Sequence, residues 1–368
     1  MENNLPPQSN PPPLILPPPP PRPPRKSRGW MIVSLILGGF VVVLMLSIFV
    51  QQFHGLVGGK TGRQSGRWLE EVKVEDNDSS HKIAIIDVEG LITSQAWDRS
   101  GRNMVDLIED QLKLAGQDDA VKAVVLKVDS PGGEVLASDD ISRALLEFQD
   151  KNHKPVVAAM GGLAASGGYY VSAPCQWIVA NELTITGSIG VIMHTFNYRG
   201  LMDKVGLYPL VFKSGKFKDM LSGSKPVQEI DPEEKSMIQA MVNETYGKFT
   251  NVVAEGRKRA LDNNQGEGRT LAEDWVQFAD GRVLTGRQAY DYGFVDEKGN
   301  FDTAVARAKK LAKIPRANLI RYQEPFQLSS LFSLFGRTES KTLKIDLGME
   351  FPKVQAGRLY FLCPTVLH

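Results

Sequence analysis

Ten residues, Gly161 to Tyr170 (GGLAASGGYY), constrain the folding of this chain more tightly than any other stretch. They follow the apolar run Val156-Val157-Ala158-Ala159-Met160, which reads as a buried strand after the breaker Lys154-Pro155. Ser166 is flanked by Ala164, Ala165, Gly167 and Gly168, so nothing bulky shields its hydroxyl. The small residues permit a sharp strand-to-helix turn, with Ser166 near the first turn of a helix running on through Tyr169-Tyr170-Val171. At such a place free N–H groups and the helix dipole favour developing negative charge.

The stretch resembles a nucleophile elbow, departing from G-x-S-x-G by having Ala164 in the first position. Taken alone, it favours the plainer reading of an N-cap serine in a glycine-rich packing turn. A second loop bears on the choice. The apolar strand Val121 to Val128 ends abruptly in Asp129-Ser130-Pro131-Gly132-Gly133, and strand ends are where α/β folds carry their ligand loops. Adjacent glycines can turn backbone N–H groups toward a substrate carbonyl with no Cβ in the way. Losing one donor of an oxyanion hole typically costs about 2.7–4 kcal/mol of transition-state stabilisation. A Pro-Gly-Gly run is also an ordinary turn.

Composition narrows the classes. A net charge of +1 over 368 residues gives no polyanion-binding signal, so no nucleic-acid partner is expected. Two cysteines, Cys175 and Cys363, make no disulfide framework, and five scattered histidines make a histidine-rich metal site improbable. The first 24 residues hold 12 of the 22 prolines and read as a solvated, polyproline-like tail. Arg25, Lys26 and Arg28 then precede an uncharged run from Trp30 to Val50, which as a helix would span about 31 Å, the thickness of a bilayer core. The run is long for a signal-peptide core and no A-x-A-like site follows. A single transmembrane helix over 29–50 is therefore expected, with the 1–28 tail cytoplasmic, as the basic cluster indicates. Residues 51–80 read as a juxtamembrane linker. Gly58-Gly59-Lys60-Thr61 lacks the leading glycine and the preceding strand of a phosphate loop.

Strand-like and helix-like segments alternate beyond the linker. Lys82–Ile92 reads as a strand, Asn103–Ala115 as a helix, Val121–Val128 as a strand and 134–149 as a helix. Short strands are expected at Trp177–Ala180 and Tyr208–Lys213, a helix from Asp231 to about Arg257, a helix–strand unit around Gln288–Asp296, and a closing helix over Thr303–Leu311. This alternation predicts an α/β core with largely parallel pairing over 81–324. Lysines 213, 216 and 218 line a polar loop; they read as solvated charges, or one of them as a buried general base. Ser222-Gly-Ser-Lys225 fits S-x-x-K, a weak pattern without its partner motifs. The 325–368 tail has no legible role; its apolar, extended character would suit a segment that enters the site.

In order and spacing, Val128–Gly133 (VDSPGG), Gly161–Tyr170, Thr186–Val191 (TGSIGV), Ser214–Asp219 (SGKFKD) and Asp280–Val283 (DGRV) resemble the signal peptide peptidase A family, short form. The resemblance covers roughly residues 82–320. It implies a Clp-protease/crotonase-like fold and a membrane-anchored serine endopeptidase, catalytic domain extracytoplasmic, that cleaves apolar peptides, remnant signal peptides among them, with no cofactor or metal. By position it implies Ser166 as nucleophile, Lys218 as general base, Gly133 and Gly167 as oxyanion-hole N–H donors, and Ser188 as the residue orienting the lysine. It further implies a ring-like homo-oligomer in which the base comes from a neighbouring subunit.

That chemistry is coherent. A lysine near its ordinary pKa of ~10.4 is charged at neutral pH; a lysine base must be brought to ~7–8 by burial away from carboxylates. Asp219 beside Lys218 is thus expected to point elsewhere. Three rivals stand beside this reading: a Clp-type Ser–His peptidase using His194, a crotonase-like acyl-CoA enzyme, and an inactive membrane scaffold that binds peptides.

Overall fold

Val121–Ser130, charged only at Lys122, Lys127 and Asp129, becomes a strand of the sheet's buried middle. In this computed structural model, which describes residues 68–96, 102–325 and 359–363, the strands are β1 (Glu70–Glu75), β2 (Lys82–Glu89), β3 (Val121–Ser130), β4 (Gly132–Glu134), β5 (Val156–Ala165), β6 (Trp177–Ala180), β7 (Ile185–Gly187), β8 (Ile192–Met193), β9 (Val283–Thr285), β10 (Glu297–Lys298), β11 (Asn318–Gln323) and β12 (Leu359–Leu362). The helices are α1 (Met104–Gln117), α2 (Val135–Asn152), α3 (Gly167–Ser172), α4 (Arg199–Lys204), α5 (Pro232–Asn263), α6 (Gly286–Asp291) and α7 (Phe301–Leu311).

The main sheet runs β1-β11-β2-β3-β5-β6-β10, with β7 joined to β5 and β9 to β7. Its inner pairings are parallel, as the alternation of strands and helices predicts, and only β1 and β9 join antiparallel. Period-two alternation divides the core. Ala84, Ile86, Val124, Leu126, Val128 and Ala158 face one side, where Ile108, Leu112, Ile141 and Leu145 of α1 and α2 cover them. Ile83, Ile85, Ala123, Val125, Val157 and Ala159 face the other, packed on Ala304, Val305 and Ala308 of α7. The fold is thus mixed α/β with helices on both faces of a mostly parallel sheet.

β5 is what positions the site. Val157–Met160 pair with β6, whereas Leu163–Ala165 leave it and pair with β7. Between the two halves the register against β3 jumps, from Val128 opposite Met160 to Ser130 opposite Ala164. The Asp129 carboxylate stitches this bulge by accepting the Leu163 N–H at 3.1 Å.

Several expectations change. Residues 70–75, within the stretch read as a linker, form β1 and pair with β11. Tyr208–Lys213 is no strand: in the single chain it finds no edge, and Tyr208, Leu210 and Phe212 stand exposed. α5 runs on to Asn263, past Arg257, because the breakers Asn264-Gln265-Gly266 come only afterwards. The Pro-rich tail, the expected transmembrane helix and most of the linker lie outside the described residues. Among the described residues no helix is long and apolar enough to cross a membrane.

α5 is tied to the sheet by a buried ion pair, Arg257 with Asp296. Asp296 also accepts the Ile178 N–H at 2.8 Å and the Arg269 N–H at 3.2 Å, so one carboxylate joins a helix, a strand and a loop. Asp296→Ala strands the guanidinium in the interior and is expected to cost about 3–5 kcal/mol, whereas Lys73→Ala, from an exposed pair, should leave stability nearly unchanged. Urea midpoints of the two variants against wild type measure both.

Candidate active site

β5 delivers Ser166 into an uncommon backbone conformation, φ 54° and ψ −114°. Such a conformation in a residue bearing a Cβ costs on the order of 1–3 kcal/mol, and it clusters at functional sites. The chain turns there directly into α3, as the run of small residues predicts. The Ser166 N–H donates to the Gly187 carbonyl at 2.8 Å, tying the turn to β7.

Glycines let three backbones meet around this turn. Gly132, at φ +100°, requires the freedom of glycine, and a methyl group on it would fall 2.5 Å from the Gly167 nitrogen. A methyl on Gly167 would lie 3.0 Å from the Gly133 nitrogen, and one on Gly168 2.8 Å from the Ser130 carbonyl oxygen. The Pro-Gly-Gly loop and the start of α3 are therefore in backbone contact. Ser130, whose role was not evident from the sequence, shapes the loop: its hydroxyl donates to the Gly90 carbonyl at 2.6 Å and accepts the Gly132 N–H at 3.0 Å. Thr186 is a second such residue, donating to the Ala164 carbonyl at 2.6 Å. Membership of the VDSPGG and TGSIGV stretches was the only signal either residue gave.

Ser188 follows Gly187 immediately and is itself buried, at φ 50°. Its N–H donates to the Arg282 carbonyl at 2.7 Å, while Gly281 donates to the Ile189 carbonyl at 2.9 Å. The Arg282 guanidinium grips Asp280 through two 2.7 Å bonds and lowers that carboxyl to about 2. The Asp-Gly-Arg turn thus buttresses Ser188, and Ser166, Gly133, Gly167 and Ser188 are gathered in one place.

Lys218 is not among them within the single chain. The Ser166 hydroxyl is fully buried and has no hydrogen-bond partner, so neither Lys218 nor His194 bonds to it. His194 lies exposed just beyond β8. Lys218 lies exposed in a turn of the arm that follows α4.

That arm nevertheless separates its lysines. Lys213 holds Asp219 at 2.8 Å, Lys216 holds Asp231 at 2.8 Å and Glu233 at 2.9 Å, and Lys225 holds Glu234 at 2.7 Å. The hydrogen bond to Glu234 raises the Lys225 pKa further, so this member of the S-x-x-K pattern stays charged. Among the described residues no carboxylate lies within ion-pairing distance of Lys218. Asp219, as expected, points elsewhere. Nor does Cys175 compete as a nucleophile: burial pushes its thiol up to about 12.

Gly168→Ala should force α3 off the end of β3 while leaving every functional group in the chain. A shift of that size at a site is expected to slow labelling of Ser166 by a fluorophosphonate about a hundredfold. Label incorporation over time, with the thermal midpoint as a control for folding, measures it.

Comparison with known proteins gives this geometry a family. The profile of peptidase family S49 matches residues 148–315, a span that includes Ser166 and Lys218. The chain is 35% identical over 310 residues to a protein of Enterococcus faecium named as signal peptide peptidase SppA, covering 80% of this chain and 84% of that one. It is 38% identical over 234 residues to a protein of Methanocaldococcus jannaschii named as a protease, covering 64% and 68% of the two chains. Protease 4 of Salmonella typhi is 36% identical over 247 residues, which are 67% of this chain but only 37% of that longer one. With so much of the first relative spanned at this identity, the chain belongs to peptidase family S49 and is a serine peptidase.

Proposed function

We propose that this serine peptidase is a membrane-anchored endopeptidase working through a Ser166–Lys218 dyad that two copies of the chain complete together. The observation that carries the reading is the strained Ser166 turn, with the Gly133 nitrogen only 3.0 Å from where a methyl on Gly167 would stand. Ser166 attacks the peptide carbonyl, and the N–H groups of Gly133 and Gly167 receive the oxyanion. Lys218, neutral, takes the serine proton and passes it to the leaving amine; water then releases the acyl group. Ser188 orients the lysine. The sheet and site follow the Clp-protease/crotonase-like plan.

Support for a shared dyad comes from the arm. A lysine base needs burial without carboxylates, and Lys218 has the second condition already. The first is unmet in one chain, where Leu210 and Phe212 of the same arm are 83% and 95% exposed. An apolar arm of this kind suits cover by a second copy, and repetition around a ring closes the assembly. The apolar run at 29–50 is the anchor, with the N-terminus cytoplasmic and the peptidase domain on the far side. Remnant signal peptides, extended and apolar, are the proposed substrates. The Clp-type alternative would need exposed His194 to reach Ser166.

Full-length Ser166→Ala and Lys218→Ala are each expected to lower kcat/KM for a fluorogenic apolar peptide by on the order of 10⁴ or more. His194→Ala should leave it unchanged, and mixing the two inactive variants should restore activity by pairing an intact serine with an intact lysine. Activity that survives Lys218→Ala and dies in His194→Ala would replace the lysine base with histidine.

A further inference from the structure

The arm between α4 and α5 carries four lysines, and three of them are engaged by carboxylates. Lys213 meets both Asp219 oxygens at 2.8 Å and also donates to the Lys216 carbonyl at 3.2 Å, so its ammonium staples the loop 213–219. Lys225 reaches Asp219 from elsewhere at 3.7 Å and holds Glu234 at 2.7 Å. Glu234 in turn accepts the Leu221 N–H at 3.0 Å, and Leu221 stands at φ 65°. Charges therefore alternate along one line, Lys213, Asp219, Lys225 and Glu234, across the turns that carry Lys218. The Asp219 side chain is only 16% exposed in that line.

Asp219 follows Lys218 directly in the chain, so their Cα atoms are about 3.8 Å apart whatever the side chains do. A carboxylate that close, left to itself, favours the charged form of a lysine and keeps a proton on it. Here it is not left to itself. The hydrogen bond from Lys213 holds the Asp219 carboxyl below the ordinary carboxylate value, so it is anionic at neutral pH, and two ammoniums share it. The remaining charges around the loop are engaged as well: Lys216 takes Asp231 and Glu233. Among the described residues Glu229, ahead of α5, makes no ion pair with any of these lysines. The line of four is neutral as a whole and adds little field at Lys218.

We propose that Lys213 and Lys225 are positioning residues that clamp Asp219 away from Lys218 and so set the pH at which Lys218 gives up its proton. The bearing of this on catalysis rests on the reading of Lys218 as the general base: a lysine reaching the nucleophile with Asp219 still free would arrive as an ion pair and accept nothing. The clamp is complete within one chain. Burial by a second copy then acts on a lysine that already has no counter-ion.

The test follows kcat/KM for a fluorogenic apolar peptide against pH in full-length wild type, Lys213→Met, Asp219→Asn and the double variant. Lys213→Met leaves the carboxylate undercompensated, so the acid limb should move up by about one pH unit, a roughly tenfold loss of rate on the limb with the alkaline plateau kept. Asp219→Asn removes the negative charge, keeps an oxygen that accepts the lysine hydrogen bonds, and should move the limb down. The double variant should return close to wild type, because the two charges are lost together. The same pH series is run on a Ser166→Ala background with trace acetic anhydride, reading acetylation of Lys218 by mass spectrometry, which needs no catalysis. Lys218 reactivity shifting in these opposite directions is the expected result and supports the clamp. An activity limb that then stayed still would count against Lys218 as the base, not against the clamp. Single variants that lower the plateau with neither limb nor reactivity moved, or that both move the same way, reduce the pair to a structural role and overturn the inference. Asp219→Asn, nearly identical in shape to the wild type, carries the decision where Lys213→Met folds poorly.

Discussion

The carbonyl of Ser130, the amide of Gly133 and the first turn of α3 approach so closely that a methyl on Gly167 or Gly168 would fall within 3.0 Å of one of them. That contact is why the rest of the site exists. Two strand ends and a helix start can share one point only if their side chains vanish there, and the chain supplies glycine at each position where a Cβ would intrude. The sheet below supplies rigidity: β3 and β5 are buried on both faces, so their ends have little freedom to drift apart. Ser166 stays at φ 54° because β7 on one side and the Pro-Gly-Gly loop on the other hold its neighbours.

The remaining part of the proposed chemistry is built in the opposite manner. Lys218 rides on an arm of turns, exposed apolar side chains and ion pairs, anchored to the start of α5 through exposed Lys216 and largely buried Lys225. Exposed ion pairs add little stability, yet these sort the lysines of the arm by leaving Lys218 outside every carboxylate pair. The rigid half presents the proposed nucleophile, and the arm presents a lysine side chain that one chain alone does not bury.

Much of this was legible in the sequence because it is local. The apolar run into Ser166, the Pro-Gly-Gly end of β3 and the acids opening α5 each carry their meaning within a few residues. What was not legible depends on partners far away in the chain. Glu70–Glu75 carries four acidic or basic residues besides its two valines in alternation with them, and reads as linker until β11 offers an edge. Tyr208–Lys213 is the converse: good strand composition with no edge to join. Leu359–Leu362 is four residues long, too short for periodicity to speak, and only the groove between β4 and β8 makes a strand of it. Ser130 and Thr186 escaped notice because a hydroxyl that shapes a backbone looks the same in sequence as one that does nothing.

The bulge in β5 has a further consequence, one of parity. Where β3 advances two residues, from Val128 to Ser130, β5 advances four, from Met160 to Ala164. The surplus is even, so Met160 and Ala164 still face the same core as Val128. A surplus of one would turn every later side chain over, sending Ser166 to the face of Val157 and Ala159, beneath α7 and away from Gly133. Length changes between Gly161 and Leu163 can therefore be accepted only in pairs, however permissive the open position of Gly162 is toward substitution.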